Sequence, residues 1–440
     1  GAAVSGGKTS PGGWQFAGAG VITVNTVGGS SGPGGRIEAT VTDGVLTSGT
    51  GKTIEVKAVD TTSISANAGA AALAVATQKA SATIAAGAAI AENQIRRSVK
   101  ATTSRTTVTS GGTVSVTASG SAEITAIAVG VSVAVSTQGG AAVALSGSGA
   151  GSSISNDVTA TLSGGTVVSR DGLTVSATDG SVIRSYVGSI AVAGARGPPA
   201  IAVSLSLAVN RITATVAAKV ADVTSLSITA ATGALSVTAT STPSITADAG
   251  GAAIALNFAT GKGAGGSIGA GVAVNTITAA DATNPTVSAS IERVGALTAP
   301  GGITVKAQSK ATIDTLTIGA STSVVTGNSS LAVAFAGAGS GSGNTVTVRV
   351  AATIDQATIT QSGDVVVTAT DAGSKIVADA GSAAVAFAAN AGTAVAPAVG
   401  AAVAVSTITS NVAASITKST VTARSVSVTA SIACASNACA

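Results

Sequence analysis

The residues that could do chemistry are few, and one type is missing altogether. No histidine occurs in the 440 residues. That removes Ser-His-Asp and Cys-His catalysis and imidazole-ligated metal sites. The two cysteines, Cys434 and Cys439, lack the paired spacing of a zinc site. In one continuous strand their odd separation puts them on opposite faces, too far apart to bond. A turn between them would allow a small disulfide; otherwise they are two free thiols. Carboxylates are the remaining catalytic candidates. Asp43, Asp171, Asp179, Asp248, Asp314, Asp371 and Asp379 are scattered, several in or near turns, where Asp is common anyway. Asp60, Asp179, Asp371 and Asp379 could meet if the chain stacks. A sugar-cleaving site would pair two acids beside an aromatic platform. The chain has only Trp14, Phe16, Tyr186, Phe258, Phe335 and Phe387. The expectation is no enzyme, no cofactor and no metal.

Three glycine-rich segments imitate nucleotide loops and fail on position. Gly51-Lys52-Thr53 has the tail of a phosphate loop, but Leu46 stands where its first Gly belongs. Gly7-Lys8-Thr9 fails in the same way at Ala2. Gly261-Lys262-Gly263-Ala264-Gly265-Gly266 matches a dinucleotide pattern by letter, with no helical pattern after it. The net charge of +4 is spread thinly and is no nucleic-acid footprint. The densest basic run, Arg96, Arg97, Lys100 and Arg105, reads as a solvated turn between strands. Residues 391–405 are apolar but contain Pro397 and Gly400 and match strand segments elsewhere, so no membrane span is expected.

The elements that position these residues are copies of one unit. Ile54-Glu55-Val56-Lys57-Ala58 recurs as Val114 to Ala118, Leu173 to Ala177, Leu235 to Ala239, Ile303 to Ala307, Val365 to Ala369 and Val426 to Ala430. Its alternation has the period of a half-buried strand. The central residues Val56, Val116, Val175, Val237, Val305, Val367 and Val428 form a core strand ladder, at steps of 59 to 68 residues. An Ile follows eight residues on at 64, 124, 183, 245 and 313, and Ile376 one residue later. A second marker recurs at Asn25, Asn93, Ser152, Asn210, Asn275, Asn344 and Ser406, each two residues before an apolar one. An Ala/Val strand precedes it and a Val-x-Ala-x-Ile strand follows it. Each unit therefore reads as about four strands, with length variation at Gly261 to Gly266 and Gly337 to Gly343.

Such regularity predicts an all-β chain, a single domain over residues 1–440. It is a right-handed parallel β-solenoid of about seven flattened coils of roughly 62 residues, with two broad sheets face to face. Three short coils per unit is the rival; the Val motif appears once per unit, which favours one wide coil. With few aromatics and much Ala, Val and Gly, the core must be thin. Stacking would let each marker Asn hydrogen-bond its equivalent one coil up, a structural Asn/Ser ladder. The outward residues of the Val motif form Ser/Thr columns of the kind an ice-binding surface needs. Glu55, Lys57, Lys306 and Val366 interrupt them, so ordinary solvent-facing positions are expected.

The order Val-x-Val-Thr-Ala, Ala-rich strand, Gly-Val-Ala-Val-Asn-x-Ile resembles the repeats of large bacterial exoproteins of the filamentous-haemagglutinin-like and leukotoxin-like kind, over roughly Trp14 to Ala430. The resemblance implies an exported, cell-surface or extracellular β-solenoid used in adhesion or as structure. The sequence starts at Gly1 with no secretory signal, and residues 1 to 27 and 409 to 440 read as part-coils that together make one unit. The resulting expectation is a filament subunit whose partner is itself, joined head to tail, with no nucleic acid and no membrane span. The alternative is a monomeric adhesin segment that binds surface glycans or other cells through loops near Gly261 or Gly337.

Overall fold

A computed structural model describes residues 1–7, 13–29, 34–78, 82–259, 261–279, 284–328, 330–389 and 392–433. Cys434 and Cys439, and Lys8-Thr9 of one loop lookalike, lie outside the described residues. The described chain is all-β, with no helix among those residues. One complete unit runs Ile54–Asp60, Ser63–Ala76, Ala82–Ser104 and Thr107–Ser110, and the next runs Thr113–Gly120, Glu123–Ser136, Ala141–Ser163 and Thr166–Ser169. Alternation of Ala or Val with Ser, Thr or Val drives each segment to a strand, because one parity faces a neighbouring sheet at every second residue.

The strands form parallel sheets of seven, ten and twelve strands. Each strand pairs with its equivalent in the units before and after. Val56 lies beside Val116, then Val175, Val237, Val305, Val367 and Val428 in turn. Ile64, Ile124, Ile183, Ile245, Ile313 and Ile376 align in the seven-stranded sheet. The ten-stranded sheet faces the seven-stranded sheet along its N-terminal half and the twelve-stranded sheet along its C-terminal half.

Three expectations are corrected. The two strands flanking each polar marker are commonly one continuous strand, such as Ala141–Ser163 or Leu331–Asp355; Asn or Ser facing inward in mid-strand does not interrupt the backbone ladder. Sheets number three rather than two. A short corner after Asp60, Gly120, Asp179, Ser241 and Ser309 separates each strand of the twelve-stranded sheet from the next strand of the seven-stranded one. At this corner Asp60 accepts from Thr62 Oγ1 at 2.5 Å, and Asp179 from Ser181 Oγ at 2.8 Å, which turns the chain. Finally, Gly337 to Gly343 is not a loop. It lies inside the Leu331–Asp355 strand, in register with Ile268 to Val274. The pairing offset lengthens instead around Gly261 and between Thr278 and Val287.

The core has two chemistries. Between the twelve- and ten-stranded sheets it is aliphatic, with Val116, Val158, Leu162, Leu173 and Val175 fully buried. Between the seven- and ten-stranded sheets it starts with isoleucines such as Ile95, Ile124, Ile154 and Ile183 near the corner and narrows beyond them to Ala, Gly and Ser, including Ala74, Ala85, Ala134, Ala144, Ala193 and Ala202. There the sheets approach so closely that a Cβ on Gly269 would overlap the Ala320 carbonyl oxygen, and one on Gly319 the Gly339 carbonyl. Buried hydroxyls fill the remaining space. Ser189 Oγ lies 2.7 Å from Ser204 Oγ and 2.9 Å from Ser206 Oγ, and Ser206 donates to the Gly250 carbonyl at 2.7 Å.

Where the ten-stranded sheet turns into the twelve-stranded one, an equivalent residue in each unit adopts a left-handed conformation, joined by Gly165 in one of them. Asp43, Arg105, Gly164, Asp222, Arg293, Gln356 and Lys418 have φ of 52, 48, 66, 57, 51, 53 and 49°. The shared geometry lets opposite charges meet between units. Arg105 binds Asp43 through Nε at 2.6 Å and Nη2 at 2.7 Å, and Arg293 holds Asp222 in the same two-point manner.

Candidate functional site

The inward-facing marker column is the most distinctive polar arrangement in the molecule. Strand register brings Asn25, Asn93, Ser152, Asn210, Asn275, Asn344 and Ser406 side by side. Asn25 Nδ2 donates to Asn93 Oδ1 at 2.9 Å, Asn210 Nδ2 to Asn275 Oδ1 at 2.9 Å, and Asn275 Nδ2 to Asn344 Oδ1 at 2.9 Å. Thr315, on the facing sheet, accepts from Asn275 Nδ2 at 2.8 Å and donates to Asn344 Oδ1 at 2.9 Å. All three amide bonds run in one direction, so the column is polar along its length. It breaks at Ser152. There the Asn93 Nδ2 donor, the Ser152 Oγ and the Asn210 Oδ1 acceptor are buried without a protein partner. The serine is simply too short to span two rungs about 4.8 Å apart on each side.

A second buried polar group sits at the corner. Asp179 is 2% exposed; Asn156 Nδ2 donates to its Oδ1 at 2.9 Å, as does Ser181 Oγ at 2.8 Å. Burial holds its pKa above the ordinary carboxylate value; the hydrogen bonds from Asn156 and Ser181 pull the other way, and Asp60 adds like-charge repulsion. Asp60, Gly120, Asp179, Ser241, Ser309 and Asp371 form one column, so its three acids are never on adjacent rungs. Asp379 lies elsewhere, in the seven-stranded sheet, where Leu316 separates it from Asp248. Burial, with Asp314 nearby, also raises the Asp248 pKa. Three other acids are tied to bases on neighbouring units: Asp43 to Arg105, Asp222 to Arg293 and Asp364 to Arg424; Asp171 lies 3.7 Å from its chain neighbour Arg170. Among the described residues no group of three potential metal ligands comes together.

The remaining sequence candidates fall into strands and turns. Gly51, Lys52 and Thr53 are the turn that enters the Ile54–Asp60 strand, and Gly263 opens another strand, so neither precedes a helix. The basic run is strand rather than turn: Arg96, Arg97 and Lys100 lie in Ala82–Ser104. Arg97 Nε reaches Thr62 Oγ1 at 3.0 Å, and Lys100 pairs with Asp157 at 3.4 Å. Residues 393–395 and 398–405 are strand, and no helix among the described residues is long and apolar enough to cross a membrane. Gly337, expected in a loop, lies within the Leu331–Asp355 strand.

One feature was missed. In Gly271-Val272-Ala273-Val274 it is Ala273 that faces inward, while Val272 and Val274 face out. The same phase holds for Leu205, Leu207 and Val209, and, on the seven-stranded sheet, for Ile127, Val129, Leu316 and Ile318. The larger side chains are therefore on the outer faces of the thin half of the molecule. Where both parities are apolar, only residue size could have signalled this, with the smaller parity fitting the narrow interior. No family model, no curated protein and no solved structure matches this chain.

Proposed function

We propose that this chain is a right-handed parallel β-solenoid with one flattened coil per unit, and that it serves as the structural subunit of an extracellular filament. Subunits join head to tail by continuing each other's sheets. The observation that supports the reading is the register: Val56, Val116, Val175, Val237, Val305, Val367 and Val428 lie in one column of parallel strands with a repeated pattern. Strands that all share one pattern can pair with the equivalent strands of a second copy. Such an end-to-end contact does not close on itself, so it grows. An extracellular setting, shared with the exoproteins the repeats resemble, suits a polymer held by backbone ladders and small-residue packing.

The test is negative-stain imaging and sedimentation of the purified chain, alongside Val428→Lys, which places a charge on the growing interior. Filaments that shorten or vanish in the variant are expected. A monodisperse monomer of the unaltered chain at high concentration would overturn the reading.

A further inference from the structure

The outer face of the ten-stranded sheet is ribbed. Gly147, Gly149 and Gly151 face outward in one strand, in register with Leu205, Leu207 and Val209 in the next. These leave a trough beside a ridge, and the ridge residues are 52%, 47% and 43% exposed. A second trough, Gly339, Gly341 and Gly343, lies beside Ala270, Val272 and Val274.

The trough glycines are not required by the chain that contains them. A Cβ on Gly147 or Gly343 would meet nothing within 4 Å; on Gly149 the nearest atom is the Leu207 carbonyl oxygen at 3.8 Å, and on Gly151 it is Glu92 Cγ at 3.9 Å. None has a positive φ. Their inward counterparts, such as Gly269 and Gly319, have no room at all. Strand glycines weaken a sheet by roughly 0.5–1 kcal/mol each relative to Ala, and nothing in the packing of the subunit calls for glycine at these positions.

We infer that this face packs against the same face of a second copy, ridge into trough. Consider a two-fold axis in the interface, parallel to the strands and midway between Ala141–Ser163 and Ala200–Ala221. Gly147 then opposes Leu205 of the second copy, Gly149 opposes Leu207, and Gly151 opposes Val209, each contact occurring twice. Further out the same operation sets Ile22 and Val24 against Gly341 and Gly343. An axis on either neighbouring strand instead sets glycine on glycine or ridge on ridge. Ile90 against Val272 is a large-on-large contact that the usual sheet-to-sheet angle of about 30° relieves away from the centre.

Area supports a copy over a smaller ligand. Six strands about 4.8 Å apart overlap in this placement, and with five outward rows about 6.6 Å apart they cover roughly 630 Å² per copy. That gives about 1,300 Å² buried in total, within the range of a stable specific interface. Glu92 and Arg211 are the charged residues on these rows. The two-fold arrangement sets Glu92 over Val274 of the second copy and Arg211 over Ser153, one strand and one row from Glu92.

The test is a swap. Gly149→Leu fills the trough, Leu207→Gly removes the ridge, and the double variant exchanges them. Sedimentation of dilute protein gives the affinity, and electron microscopy gives particle width. The unaltered chain forms laterally paired particles; each single variant weakens pairing at least tenfold, and the double variant recovers most of the loss. Gly147→Ala is a milder probe that the strand accommodates, and circular dichroism checks folding of all four. These substitutions lie in mid-sheet, so head-to-tail growth persists at half the width if both contacts exist, and the pairing is still measurable if filaments do not form. Particles of single width in the unaltered chain, single variants without effect, or a double variant no better than the singles would overturn the inference. So would binding of phosphatidylcholine vesicles by this face in place of pairing.

Discussion

Replacing Ser152 by Asn should stabilise the protein, and the polarity of the marker column says why. Asn93 offers an unpaired Nδ2 donor on one side of Ser152, and Asn210 an unpaired Oδ1 acceptor on the other. An Asn at 152 accepts from the first through Oδ1 and donates to the second through Nδ2. That is the direction in which Asn25, Asn210 and Asn275 already donate. Each bond adds a net 0.5–1.5 kcal/mol or so, and satisfying a buried orphan recovers roughly 1–3 kcal/mol of desolvation. Against this stand the ordering of a longer side chain and displacement of the packing around it. A net gain of about 2 kcal/mol follows. With an unfolding entropy near 2.1 cal/mol/K per residue, about 0.9 kcal/mol/K for the whole chain, the melting temperature rises by roughly 2 °C. Differential scanning calorimetry of Ser152→Asn beside Ser406→Asn is the assay. Ser406 lies at the open edge, exposed, beside the unpaired Asn344 Nδ2, so its gain should be smaller. An unchanged or lower melting temperature for Ser152→Asn would refute the reasoning, because it would mean that the gap already holds a partner or lacks the room.

Three further outcomes follow from the packing. Burial raises the pKa of Asp179 above its ordinary value of 3.8, so the folded state binds its proton more tightly than the unfolded state. Stability from this group is greatest at acid pH and falls as pH rises from the ordinary value through the raised one. Asp179→Asn should therefore melt higher than the unaltered chain at neutral pH, with the difference shrinking on acidification; a difference that grows towards acid pH would contradict this. Gly269→Ala should destabilise by more than 2 kcal/mol or so, since its Cβ meets the Ala320 carbonyl. Gly343→Ala, with open space above it, should be neutral or slightly stabilising in urea titrations of unpaired protein.

The all-β character and the parallel pairing were legible because the unit repeats its alternation, so equivalent residues can occupy equivalent places. Val56 and Val116 pair because each sits at the same step of the same pattern. The number of sheets was not legible. It depends on a corner after Asp60, Gly120, Asp179, Ser241 and Ser309, whose residue types look like ordinary strand ends. Nor could the continuity of Leu331–Asp355 be read, because Gly337 to Gly343 has the composition of a loop and the geometry of a strand held by Ile268 to Val274. The left-handed column of Asp43, Arg105, Gly164, Asp222, Arg293, Gln356 and Lys418 has no common side chain, since its backbone is set by the turn. Seen singly, Asp43 was a scattered acid and Arg105 one member of a basic cluster; only the register makes them partners.

Distances between spin labels on one outward column test the stacking of units most directly. Lys57, Thr117, Ser176, Thr238, Lys306, Thr368 and Thr429 pair in succession. Each step adds about 4.8 Å. Labels at Thr117 and Thr368 should therefore lie about 19 Å apart, and labels at Lys57 and Thr429 about 29 Å apart, measured in protein diluted with unlabelled chain. A linear increase with the number of intervening units is the expected result. Separations that fail to grow with that number, or that jump at one unit, would contradict the stack.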